Sequence, residues 1–207
     1  MKEIRALPFE VREKAGEEIQ KVVGSGAVYN KRSQDLGGYV EIIRPGCFKR
    51  SLESGREIKS CYNHDDSKTL GSTEGDPPLV IRDTDKGVEY EVEIPDTTYG
   101  RDLKENLRRK LVRGSSFAFR TIEDNWYKDD KGQVVRELVD AELIELGPVN
   151  NPAYLPTEAS LRALNDVYES KVSQMQAQEG NLQIEREAQA RRVREVELLR
   201  LQIGGKE

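Results

Sequence analysis

The sequence predicts a mainly β chain with peripheral helices, of the α+β class, followed by a helical tail. Three observations point there. Short apolar runs recur between Gly, Pro and Asp turn signals; one of them, Val88, Tyr90, Val92 and Ile94, alternates with Glu89, Glu91 and Glu93; and the composition changes near residue 164. Six or more short strands suit a closed or nearly closed barrel. The expected organisation is a domain over 1–164 and a charged tail over 165–207, helical or partly disordered.

The elements follow in order. Phe9 to Arg12 and Gly26 to Tyr29 read as strands. Gly37-Gly38 and Arg44-Pro45-Gly46 are turns enclosing a strand at Tyr39 to Ile43. Phe48 to Ser54 suits one short helix. Ile58 to Tyr62 is the next strand, ending just before His64, and Leu79 to Arg82 follows the turn Gly75-Asp76-Pro77-Pro78. The alternating strand ends at Pro95-Asp96-Thr97-Thr98. Arg101 to Lys110, rich in Lys, Arg, Glu and Leu without Gly or Pro, reads as a helix with a solvated basic face. Ser116 to Ile122 and Val134 to Leu146 are two more strands, joined by the hairpin-type connector Asp129-Asp130-Lys131-Gly132. From Asn165 the chain is dominated by Gln, Glu, Arg and Ala. Val193, Val196, Leu199 and Ile203 recur there at helical spacing, so this segment can form an amphipathic helix, a docking element or a piece removed during maturation.

Composition narrows the function classes. With 34% charged residues, 36% hydrophobic residues and a formal net charge of −5, the chain is too acidic overall for nonspecific nucleic-acid binding, and its partners are expected to be proteins. No apolar stretch approaches the ~20 residues that span a bilayer, and the opening Met1-Lys2-Glu3-Ile4-Arg5 lacks the apolar core of a secretion signal. A cytoplasm-like compartment is therefore expected, with Cys47 and Cys61 as reduced thiols. Cys61 lies close to His64, but three residues along a strand place side chains on opposite faces, which argues against a thiol nucleophile.

The chain contains one histidine, His64. A metal site built from several imidazoles is excluded, whereas a nucleophile served by a single base is not. Arg113-Gly114-Ser115-Ser116-Phe117-Ala118-Phe119 offers the nucleophile. Asp140, Glu142 and Glu145 offer acids, so base, serine and carboxylate occur in that chain order. A serine hydroxyl is a poor nucleophile at neutral pH, and an imidazole must take its proton during attack and return it to the leaving amine. An imidazole is suited to this because its intrinsic pKa lies near neutrality. A carboxylate on the far ring nitrogen fixes the tautomer and stabilises the imidazolium. The oxyanion needs donors worth ~3 to 4 kcal/mol each, either backbone N–H groups near Ser116 or a guanidinium such as Arg120.

The order and wording of these motifs resemble the prohead protease family of tailed phages, serine peptidases related in fold to herpesvirus assemblins. The likeness runs from about Val28 to Leu164. It takes in Tyr29-Asn30-Lys31 to Leu36-Gly37-Gly38-Tyr39, Arg44-Pro45-Gly46-Cys47-Phe48, Asn63-His64-Asp65 with Leu70-Gly71, and Ile94-Pro95-Asp96-Thr97 with Gly100-Arg101-Asp102. The serine motif and Pro148-Val149-Asn150-Asn151-Pro152-Ala153-Tyr154 complete it. The family's Gly-Met-Ser-Phe-Gly-Phe lays its nucleophile on Ser116, with Ser115 in the methionine's place and Ala118 where glycine is frequent. Its Leu-x-Glu-Val-Ser-x-Val-Thr-x-Pro-Ala lays its glutamate on Glu145, with Leu146-Gly147 replacing Val-Ser and Asn150 replacing Thr; Glu142 and Asp140 remain rivals. Herpesvirus relatives have a second histidine in the third position, which this chain lacks.

The resemblance implies an assemblin-like β-barrel core and an endopeptidase with His64 as base, Ser116 as nucleophile and Glu145 as the orienting acid, needing no metal or organic cofactor. It further implies action inside an assembling procapsid in the host cytoplasm. The substrates would be the scaffolding region of the major capsid protein, a separate scaffold protein, or both, and the enzyme's own chain. A homodimer is expected by analogy with assemblins, without membrane or direct nucleic-acid contact. The competing expectation is a noncatalytic capsid assembly or scaffold protein.

Overall fold

The computed structural model of the protein describes residues 2–8, 20–150 and 158–204. The strand expected at Phe9 to Arg12 lies outside them. The chain divides into two compact units, Met1–Leu161 and Arg162–Glu207.

The first unit is built from two sheets. The larger has the order β1-β8-β9-β4-β5, formed by β1 (Glu3–Pro8), β8 (Gly114–Lys128), β9 (Val134–Val149), β4 (Lys59–Cys61) and β5 (Thr69–Ser72), with β3 (Tyr39–Ile43) also pairing with β9. The smaller has the order β2-β7-β6, formed by β2 (Lys21–Val28), β7 (Gly87–Glu93) and β6 (Val80–Thr84). Neither sheet closes on itself in this pairing, so the described strands form two sheets and do not show the closed or nearly closed barrel expected for them. The sheets share one hydrophobic core. Val22, Val88, Tyr90 and Val92 of the smaller sheet belong to the same buried cluster as Phe117, Phe119, Leu143 and Leu146 of the larger. β7 buries Val88, Tyr90 and Val92 while its glutamates face outward, as the alternation predicts.

β8 and β9 are the frame of the unit. They pair antiparallel along their length, and β9 uses its other edge for β3 and then for β4, both parallel to it. Parallel neighbours need crossover connections, and α1 (Lys49–Glu53) lies in the one that joins β3 to β4. α2 (Thr98–Arg108) starts three residues earlier than the composition suggests. The Thr97 hydroxyl caps it by accepting from the Gly100 N–H, and Leu103 and Leu107 are its buried face.

Both long strands extend beyond the residues expected for them. The hairpin between them holds at Asp129, whose carboxylate accepts from the N–H groups of Lys131 and Gln133. Two strands were not anticipated, β1 and β5.

The described residues of the second unit all lie in one helix, α3 (Glu158–Gly204). Leu182, Ile184 and Val193 are exposed on it, and the side chains of Val196, Leu199 and Ile203 lie outside those described. No helix among the described residues is long and apolar enough to cross a membrane.

Candidate active site

The candidate base, His64, sits on an unusual turn. β4 ends at Cys61, and Tyr62–His64 form a short 3-10 turn in which Asn63 (φ 55°) and His64 (φ 58°) both have left-handed backbones. Asparagine tolerates that region, whereas histidine there carries strain of order 1 to 3 kcal/mol, which the surroundings must hold in place. They do so from both sides. Asn63 Oδ1 accepts from the Asn150 backbone N–H at 2.9 Å. The Tyr62 hydroxyl donates to Asn150 Oδ1 at 2.5 Å and accepts from Asn106 Nδ2 at 3.0 Å. Beyond the turn, Asp65 accepts from the backbone N–H and the hydroxyl of Ser67. The turn is thus tied to the end of β9 and to α2.

The nucleophile candidate lies in the doubly buried stretch of β8. Ser116 is opposite Gly147 of β9 on one side and Ala6 of β1 on the other. Gly147 departs from the family's serine for a local reason. A Cβ at that position would lie 2.2 Å from the Cys61 carbonyl oxygen, so only glycine lets β9 approach the end of β4 this closely. That approach brings three side chains into line. His64 Nε2 lies 2.5 Å from Ser116 Oγ, and His64 Nδ1 lies 3.0 Å from Glu145 Oε1.

All three expected site residues therefore meet, and the rivals for the third position are engaged elsewhere. Glu142 is ion-paired with Arg56 and, at 2.6 Å, with Arg120; Asp140 is paired with Arg50 at 2.7 Å. Position along the strand explains the difference. Glu145 lies opposite Ala118 in the buried stretch of β8, two residues from Ser116, whereas Glu142 lies opposite Arg120 and Asp140 opposite Glu123, further along where β8 is exposed.

The electrostatics suit an orienting carboxylate. Burial by itself would raise the Glu145 pKa, but its bond and charge contact with His64, and then those with Lys2, outweigh this and hold it below the usual value. The Lys2 ammonium donates to Glu145 Oε2 at 3.0 Å, leaving Oε1 for the imidazole. Ser116 Oγ also approaches the carbonyl oxygen of Arg5, at 2.7 Å, and Ser116 is fully buried.

Cys61 is no competitor as a nucleophile. Its strand ends before His64, so the expected opposite-face argument does not apply; instead its thiol points to Thr69 and Asp66, and burial pushes its pKa up to about 11. Cys61, Asp66 and Glu145 place potential ligand atoms within 4.8 Å of one another. A protonated thiol and a carboxylate already bound to His64 and Lys2 make a poor cation site.

Lys2, the Arg5 carbonyl, Tyr62 and Asn106 were not singled out from the sequence. Asn63 and Asn150 lie within the motifs, and Tyr62 lies next to one, which is the signal that could have found it. Lys2 and Arg5 gave none.

A family model for the caudovirus prohead serine protease matches residues 7–178. The chain belongs to this family. Among solved structures, the bacteriophage T4 capsid assembly protease gp21 is similar, with a TM-score of 0.48 and 8% identity, covering 72% of this chain and 96% of that one. No curated protein sequence matches the chain.

Proposed function

We propose that this prohead protease family member is a serine endopeptidase of capsid maturation with Ser116 as nucleophile, His64 as general base and Glu145 as the acid that orients it. The observation that supports this most is the unbroken line from Ser116 Oγ through both ring nitrogens of His64 to Glu145. Ser116 Oγ attacks the scissile carbonyl as its proton passes to His64 Nε2. Glu145 fixes the Nδ1–H tautomer and stabilises the imidazolium, which then protonates the leaving amine. Water, activated by the same imidazole, releases the acyl group.

The substrates we infer are the scaffolding region of the major capsid protein, a separate scaffold protein, or both, and the enzyme itself, cut within the tail over 165–207 inside the procapsid in the host cytoplasm. We also infer a homodimer. Confinement within one shell raises the effective concentration of enzyme and substrate, so modest intrinsic activity suffices.

One observation favours the competing reading, a noncatalytic assembly protein: Ser116 is inaccessible in this conformation. Intact mass spectrometry of the protein co-expressed with its capsid protein separates the two. Defined truncations with wild type, absent with Ser116→Ala, are expected; identical masses in assembled shells would leave only the assembly role.

A further inference from the structure

A serine that acts on a polypeptide must be reached by it, yet Ser116 is fully buried and β1 lies directly across it. β1 is at the edge of the larger sheet and pairs antiparallel with β8 from Glu3↔Phe119 to Pro8↔Gly114. We propose that β1 is an intramolecular occupant of the substrate groove. The edge of β8 that carries the nucleophile accepts an extended peptide by strand addition, and β1 must leave before a substrate strand can take its place. This rests on the serine endopeptidase reading above.

Proton bookkeeping supports a latent state. The Ser116 hydroxyl has one proton and two neighbours that want it, the Arg5 carbonyl oxygen at 2.7 Å and His64 Nε2 at 2.5 Å. A carbonyl can only accept. If the proton goes to Arg5, Nε2 must donate to Ser116 and Nδ1 must donate to Glu145, so the imidazole holds two protons and cannot act as a base. Removing the Arg5 carbonyl leaves Nε2 as the hydroxyl's acceptor, the arrangement that attack requires. Lys2, just before β1, also holds the second oxygen of Glu145. The same short segment thus touches both ends of the catalytic line.

The way β1 is fastened fits a detachable element. Its Glu3, Ile4, Arg5 and Ala6 are only partly buried, and Glu3 and Arg5 are held by ion pairs. Arg5 donates twice to Glu41, both at 2.7 Å, and Glu3 receives both terminal nitrogens of Arg136, at 2.6 and 3.0 Å. Departure of β1 strands no charge. Arg136 keeps Glu41 at 3.2 Å and Asp124 at 2.8 Å, while Glu3 and Arg5 keep each other at 3.0 Å. A strand held by apolar packing would expose a hydrophobic face on leaving; the ionic partners this one leaves behind, Glu41 and Arg136, stay paired with each other.

The occupant fits a known recognition mode, in which main-chain bonds to a sheet edge bind an extended peptide with little regard to sequence. Such tolerance is what a protease acting on several different chains requires.

The test is the rate at which a fluorophosphonate modifies Ser116, the serine oxygen displacing fluoride from phosphorus. Two full-length variants weaken β1 by different means: Ile4→Gly/Ala6→Gly raises the entropic cost of the strand, and Arg5→Gln loosens its ionic latch. Both are expected to label roughly 10-fold faster than wild type or more, as for a minor open state becoming common. Excess synthetic peptide Met1-Lys2-Glu3-Ile4-Arg5-Ala6-Leu7-Pro8 is expected to slow them again. Rates equal to or below wild type in both variants, with thermal melting showing folded protein, would overturn the proposal while leaving the protease standing. Absence of labelling in all three proteins, with capsid protein uncleaved, would overturn both.

Discussion

Arg136 and Glu145 are both buried charges on β9, and their surroundings differ in one respect that separates structure from chemistry. Arg136 spends every donor on a fixed partner: Glu3 and Glu41 on its terminal nitrogens, Asp124 on Nε, Thr121 beside them, and the Trp126 ring 5.6 Å away. Beside it the Glu3 carboxyl is brought down to about 2. Glu145 has two partners, of which one, His64, is a group whose proton can move. A saturated network holds strands together; a sparse one beside a titratable ring and a hydroxyl can transfer a proton. That difference predicts opposite consequences when each cluster is damaged.

The largest effect is expected from Glu145→Gln. The amide keeps the size of the side chain but can hold the wrong tautomer of His64, and kcat should fall about 10⁴-fold, close to 5.5 kcal/mol of barrier. Unfolding free energy should change by only ~1 kcal/mol. The control is Glu142→Gln, whose carboxylate pairs with surface arginines and whose loss should alter kcat/KM by no more than about 0.5 kcal/mol. Peptide-cleavage kinetics and urea denaturation on the same samples provide both readouts. A comparable loss of activity in the two variants would place the acid at the wrong residue.

Arg136→Met should reverse the pattern. It leaves the buried Glu41 and the partly buried Glu3 and Asp124 with one cation fewer, and removing one partner from a buried ionic cluster costs ~3 to 5 kcal/mol. Denaturation should show that loss. The geometry of His64, Ser116 and Glu145, fixed by β4 and β9 around Gly147, should survive in the molecules that remain folded. Unchanged stability would mean that the cluster is held by the backbone ladder alone.

The two clusters were not equally legible in the sequence. The serine, histidine and acid motifs stood out because a lone histidine leaves few chemistries and because their order resembles a family. The choice among Asp140, Glu142 and Glu145 stayed open because the pairing of β8 with β9, which sets Glu145 opposite Ala118 but Leu143 opposite Phe119, breaks the period-two alternation between them, and only long-range pairing decides this. Glu145 is the buried one of the three, and a buried acid needs an internal partner. β1 was hidden for the opposite reason. Lys2, Glu3 and Arg5 look like a solvated start, and nothing local announces that Glu145, Arg136 and Glu41 respectively, the first two more than a hundred residues away, will neutralise them. β5 is four residues long and contains Gly71, which weakens its strand signal; its place is fixed by pairing with β4. The two sheets depend on which edges meet, a matter of long-range pairing that period-two patterns leave undetermined.

The smallest of these effects is a pH dependence that belongs to the structural cluster alone. Burial would raise the Glu3 carboxyl, but the bond and charge of Arg136, the charge of Arg5 and the Thr121 hydroxyl more than offset it, giving about 2 in the folded chain against an ordinary 4.5. Between those values the unfolded chain binds a proton that the folded chain refuses. The stabilisation is therefore complete above about pH 4.5, lost as the pH falls towards 2, and worth on the order of 3 kcal/mol at neutrality. Glu3→Gln cannot titrate, so its stability should lie below wild type at pH 7 and the two curves should converge in acid, whatever the other carboxylates contribute to both. Convergence should largely vanish in an Arg136→Met background, because the cation that lowers Glu3 most is gone. Curves that stay parallel from pH 7 to 3 would mean that Glu3 gains nothing from its guanidinium partners on folding, and the ionic fastening of β1 would then have to be replaced by one of backbone pairing.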